Sequence, residues 1–148
     1  MRIYLAARFG RRDELRGYRT ALQSLGHEVF SSWLDAPDET AEADWTAAAQ
    51  RDLVEIFDAD LLIAFTDDGV GSGRGGHHAE FGAALTAATF WPTAWATKWP
   101  WIVGPRQHVL HFHPGVRHFA TWADALAALT TGTREQADGF SPADWIDQ

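Results

Sequence analysis

Leu61-Leu62-Ile63-Ala64-Phe65-Thr66 leads into a loop rich in glycine and aspartate. Gly75-Gly76-His77-His78-Ala79-Glu80-Phe81-Gly82 follows, then the small-residue run Ala83-Ala84-Leu85-Thr86-Ala87-Ala88. The first run is apolar without alternation, the pattern of a strand covered on both faces. The last run reads as a helix. Glu80 is expected on the first turn of that helix. A carboxylate at the carboxyl end of a parallel strand sits where α/β proteins bind ligands. The glycines let backbone approach a ligand closely. The dipole also favours an acid at a helix N-terminus. The glycine density, however, exceeds what a cap needs, so Glu80 is read as functional.

The rest of the chain extends this strand–loop–helix unit. Arg2 to Ala6 reads as a short buried strand, and Arg8 to Asp13 as a polar turn around Gly10. Asp13 to Leu25 places Leu15, Tyr18, Leu22 and Leu25 near a helical period, with Gly26 as the stop. His27 to Trp33 alternates and then turns aromatic, which suggests a second strand. Leu34 to Ala43 is a loop containing Pro37. Asp44 to Phe57 reads as a second helix, with Asp44 as N-cap and Leu53, Ile56 and Phe57 facing inward. A fourth strand is expected from Trp99 to Val103 and a fifth from Val109 to Phe112. A last helix runs from Ala120 to Leu129 with Thr121 as cap. Strands alternating with helices imply a parallel sheet with right-handed crossovers. The expected fold is therefore α/β: a compact doubly wound, flavodoxin/Rossmann-like parallel five-stranded sheet with helices on both faces. One domain is expected over residues 1–130, with a C-terminal tail over 131–148.

Composition narrows the function. The chain has 148 residues, 46% of them hydrophobic and 13% aromatic, enough for one globular core. Twelve basic against twenty acidic residues leave a net charge of −8. That argues against a nucleic-acid surface, which wants a basic face, but leaves room for a small anion held by local arginines. There are no cysteines, so thiolate chemistry is excluded and a reducing, cytoplasmic location is expected. Met1 to Ala6 reads as a strand rather than a signal peptide. No apolar run approaches membrane-spanning length, so no membrane partner is expected.

Three further features carry chemistry. Arg8, Arg11 and Arg12 flank Gly10 just before a helix, a setting that suits a phosphate. Arg8 and Arg11 are the stronger candidates. The histidines His77, His78, His108, His111 and His113 invite a metal reading. No spacing matches a known zinc pattern, so no metal is expected. His77 or His78 is read instead as a contact to a bound ligand. His111 and His113 are expected as strand neighbours on one face. Phe90 to Trp101 holds four of the eight tryptophans and two prolines, which prevent an unbroken helix. It reads as an aromatic flap or subunit contact, or alternatively as a lid that stacks on bases.

Taken in order, these residues resemble the nucleoside 2-deoxyribosyltransferase family, which includes nucleotide N-glycosidases acting on nucleoside 5′-monophosphates. The resemblance rests on Tyr4-Leu5-Ala6, Asp52-Leu53 ahead of Asp60, the apolar third strand and the glycine-rich loop reaching Glu80-Phe81-Gly82. It covers roughly residues 2–129. It implies a retaining mechanism with Glu80 as nucleophile, Asp52 beside it and Tyr4 orienting it. It places Ala6, Arg8, Phe9, Gly10 and Arg11 around a phosphate or sugar, with Trp33, Asp68, Gly75, Gly76, His77 and His78 also toward the substrate. Asp67 and Asp68 both remain candidates to face the base. No cofactor is implied. The partner is a small-molecule nucleotide or nucleoside, and a homodimer or larger homo-oligomer is expected. Hydrolysis and base transfer both stay open, as does a catalytically silent nucleotide-binding module of the same fold. A cytokinin-type phosphoribohydrolase also leads a Gly-Gly loop to a glutamate. The spacing here, with no threonine between Gly76 and Glu80, fits it poorly.

Overall fold

The structure is a computed structural model that describes residues 1–37, 42–68, 75–91 and 99–131. Five parallel strands form one sheet in the order β2-β1-β3-β4-β5. They are β1 (Arg2–Ala6), β2 (Glu28–Val29), β3 (Leu61–Phe65), β4 (Trp101–Val103) and β5 (Arg117–Phe119). The helices are α1 (Arg12–Ser24), α2 (Glu42–Asp58), α3 (Gly76–Phe90) and α4 (Trp122–Thr130). This is the doubly wound arrangement expected from the sequence, in flavodoxin-like order. The chain reverses direction across the sheet between β1 and β3, so a crevice opens at their carboxyl ends.

The pairing Ile3↔Leu61 through Ala6↔Ala64 sets alternate side chains on opposite faces. Tyr4 points to the face covered by α2 and α3, where its hydroxyl meets Glu80 of α3. Phe65 points the other way, with Tyr18 of α1 at 5.2 Å and Trp122 of α4 at 5.7 Å between ring centroids. Because both faces are covered, every residue of β3 is buried, and its unbroken apolar run follows.

Several expectations need correction. Val109 to Phe112 is a 3-10 turn, not the fifth strand. His108 caps that turn, its Nδ1 accepting from the Leu110 N–H at 3.2 Å. Of the four residues only His111 is buried, so the apolar letters mimicked a strand. The true β5, Arg117-His118-Phe119, is a polar edge strand. His111 and His113 are therefore not strand neighbours. The second strand is two residues long and gives way to a 3-10 turn at Ser32–Leu34. The fourth strand begins at Trp101, after Pro100, which has no N–H for the ladder.

In α2, Asp44 lies inside the helix rather than at its cap. Leu53 faces solvent at 49% exposure, while Ile56 is buried as expected. The last helix keeps its expected cap: Thr121 and Asp124 form a reciprocal capping box. Phe90 and Trp91 close α3 in exposed positions, and Trp99 stacks on His113 at 5.0 Å. The remainder of the tryptophan-rich segment, 92–98, and the tail beyond 131 lie outside the described residues.

Candidate active site

The site grows from the carboxyl ends of β1 and β3 and the start of α3. Gly75 precedes α3 in the left-handed conformation, φ 72°, where a side chain would be strained. It makes no side-chain cap. Glu80 lies five residues into the helix, not on its first turn as expected. It is therefore too deep to cap free N–H groups, and the capping explanation for this acid is lost.

Glu80 meets Tyr4 instead. The Tyr4 hydroxyl donates to Glu80 Oε1 at 3.0 Å. Tyr4 is fully buried, and burial, with Glu80 and Asp52 nearby, holds its hydroxyl well above the usual phenol range. It is thus a permanent neutral donor. Burial pushes the Glu80 carboxyl up to about 7; the Tyr4 hydrogen bond pulls it down and the Asp52 charge adds to the rise. Asp52 therefore shares an electrostatic environment with the pair. Its Oδ1 lies 3.3 Å from Arg51 Nη2. Glu55, one helical turn on, also acts on Tyr4 and accepts the Ser32 N–H at 3.0 Å. Sequence reading missed Glu55; the signal was its i+3 spacing from Asp52.

The turn after β1 brings in the arginines. Arg8 forks onto Asp67, with Nε to Oδ2 at 3.2 Å and Nη2 to Oδ1 at 2.8 Å. Arg11 is held by Glu14 through two bonds of 2.7 Å and reaches the Thr66 carbonyl at 3.3 Å. Arg12 donates to the Ala36 carbonyl at 2.8 Å and lies over the Phe9 ring, turned toward the loop after the second strand. Phe9 is exposed beside Trp33, 6.3 Å between centroids. Trp33 is buried, with its indole N–H committed to the Leu5 carbonyl at 2.9 Å. Ala6 is buried within β1, whereas Gly10, Gly76 and Asp68 are exposed.

The histidines do converge. His77 and His78 lie 3.9 Å apart, His78 lies 5.6 Å from His111 and 6.3 Å from His108, and His111 sits edge-on to Phe81. Burial and mutual repulsion hold His77 and His111 down at about 4, so both rings are neutral near pH 7. The Gln107 N–H donates to His111 Nδ1 at 3.2 Å, which places that ring's proton on Nε2. Among the described residues, no three His, Asp or Glu side chains are arranged to hold a metal ion. His77 also feels the charges of Asp67, Arg8 and Arg11, so the arginine pair and the histidine wall border one crevice.

No protein-family model matches the chain, and no curated protein matches it either. Solved structures do. The chain is 20% identical to the CMP N-glycosidase BcmB of Clostridium botulinum, with a TM-score of 0.56 over 88% of this chain and 99% of that one. It is likewise 20% identical to a 2-deoxyribosyltransferase from the psychrotolerant bacterium Bacillus psychrosaccharolyticus, with a TM-score of 0.63 over 85% of this chain and 90% of that one. The chain shares its fold with these two enzymes over most of its length.

Proposed function

We propose that the protein belongs with the nucleoside 2-deoxyribosyltransferases and nucleotide N-glycosidases, and that it cleaves the N-glycosidic bond of a nucleoside 5′-monophosphate or a (deoxy)nucleoside. The observation that carries this reading is the 3.0 Å bond from Tyr4 to a desolvated Glu80 at the β1/β3 crevice. Two enzymes that share the fold are named for that class of chemistry.

In this reading Tyr4 holds one oxygen of the Glu80 carboxylate and the other attacks the anomeric carbon. The bond from that carbon to the base breaks, and its electron pair leaves with the base. Water, or a second base, then attacks the same carbon and frees Glu80 with retention. Desolvation makes the carboxylate reactive. Asp52 adds negative charge near the sugar, where positive charge develops. The neutral N–H groups of His77 or His78 hydrogen-bond the departing base. Arg8 and Arg11 receive the 5′-phosphate, which favours monophosphates over nucleosides. No cofactor takes part.

The test is a panel of ribo- and deoxyribonucleosides and their 5′-monophosphates, with and without a second free base, read by chromatography. Free base from one monophosphate identifies a hydrolase and its substrate. A new nucleoside formed only with acceptor base identifies a transferase. A panel that binds without turnover supports a nucleotide-sensing module and removes the enzymatic reading.

A further inference from the structure

Arg8 and Arg11 differ in how they are held. Arg11 is a fixed charge: Glu14 grips it through two bonds, Tyr18 grips Glu14 at 2.5 Å, and the guanidinium lies over the Phe65 ring at 5.7 Å. Arg8 is bound side-on by Asp67, in the two-point geometry that a guanidinium offers equally to a carboxylate or a phosphate. Arg11 Nη1 stands 3.7 Å from the same Asp67 Oδ2. Two cations thus converge on one carboxylate at the carboxyl end of β3, and about a quarter of the Arg8 and Asp67 side-chain surface stays open to solvent (28% each). The Asp67 carbonyl also accepts from the Gln107 side chain, so its backbone is anchored while its carboxyl group is what the arginines hold.

We propose that Asp67 stands in for a substrate phosphate, and that a 5′-monophosphate displaces it from Arg8. This rests on the reading above, in which the arginines receive the phosphate. A phosphate monoester carries a charge of about −1.5 to −2 near neutrality and three acceptor oxygens. It therefore outcompetes a single carboxylate for the same fork. The freed Asp67 remains at the end of β3, where an acid is available to the base. His77 senses Asp67, Arg8 and Arg11 together, and lies one helical turn before Glu80. The exchange therefore happens beside the reacting centre. A nucleoside without the phosphate leaves Asp67 locked on Arg8. Phosphate occupancy and the availability of Asp67 become one event, and selection for monophosphates follows.

The experiment titrates inorganic phosphate into the wild-type protein, Asp67→Asn and Arg8→Gln at low salt by calorimetry, with thermal melts confirming that each is folded. Asp67→Asn should bind phosphate about tenfold or more tighter than wild type, and Arg8→Gln should lose binding. Equal or weaker binding by Asp67→Asn overturns the proposal. A crystal structure of the wild type with inorganic phosphate gives an independent reading. Phosphate on Arg8 with Asp67 turned away supports exchange; phosphate bound beside an intact Arg8–Asp67 pair contradicts it. Both readouts work without turnover. Exchange in a protein that releases no base would sink the glycosidase reading alone, and base release without exchange would sink this inference alone.

Discussion

At Glu80, function and stability pull in opposite directions. Its carboxyl is pushed from the usual 4.5 up to about 7, chiefly by burial. The folded protein therefore keeps a proton between those values that the unfolded chain has released. Stability falls as pH rises through that window, and the full cost is present above pH 7. At about 1.4 kcal/mol per unit, this amounts to about 3 kcal/mol. Glu80→Gln keeps an acceptor for Tyr4 but has no charge to desolvate. It should match wild type near pH 4 and exceed it by several degrees in Tm at pH 8. Melting curves at the two pH values check this; a Tm difference independent of pH would show that Glu80 is not desolvated.

Tyr4→Phe tests the partner. The Tyr4 hydrogen bond lowers the Glu80 pKa, so its removal should move the inflection of kcat/KM above 7. Activity should fall most at pH 6 and recover partly at pH 9. An unmoved inflection would show that another group sets it.

Among the elements, long apolar or strongly periodic segments were legible in the sequence, and segments held by specific contacts were not. The run Leu61–Phe65 read as a strand buried on both faces, and it is one. Thr121 announced its helix through an ordinary cap. By contrast, Ser31 and Trp33 end the second strand early by claiming the Leu5 peptide, one through its N–H at 2.7 Å and the other through its carbonyl at 2.9 Å. No periodicity reports such a bond. The candidate site divides in the same way. Glycine-rich geometry pointed to Glu80, but the pairing of Arg8 with Asp67 spans 59 positions and emerges only once the sheet has formed. The turn after β4 makes a prediction of its own. Gly104 has φ 106°, and an added Cβ would overlap the Thr66 carbonyl oxygen. Gly104→Ala should destabilise by about 2–3 kcal/mol, from both a disfavoured backbone and overpacking against main chain. Urea denaturation checks it; a loss below about 0.5 kcal/mol would show that the turn can relax.

At the level of the whole molecule, the charge of −8 argues against a broad basic binding face, and Arg8 and Arg11 at the end of β3 supply local cations instead. Trp45, Leu53 and Val54 leave apolar surface on α2 exposed, and Phe90 and Trp91 do so at the end of α3. Clustered apolar surface marks association, so we expect a dimer or larger homo-oligomer. Light scattering at micromolar concentration checks this, and a monomer there would remove it. No described helix is long and apolar enough to cross a membrane.

The central claim is that Glu80 is the nucleophile. Side-by-side base release by wild type and Glu80→Gln, on whichever nucleotide or nucleoside the wild type cleaves, tests it most directly. The account predicts that turnover falls by roughly a thousandfold or more while calorimetry still shows ligand binding. Near-native turnover by Glu80→Gln would contradict it.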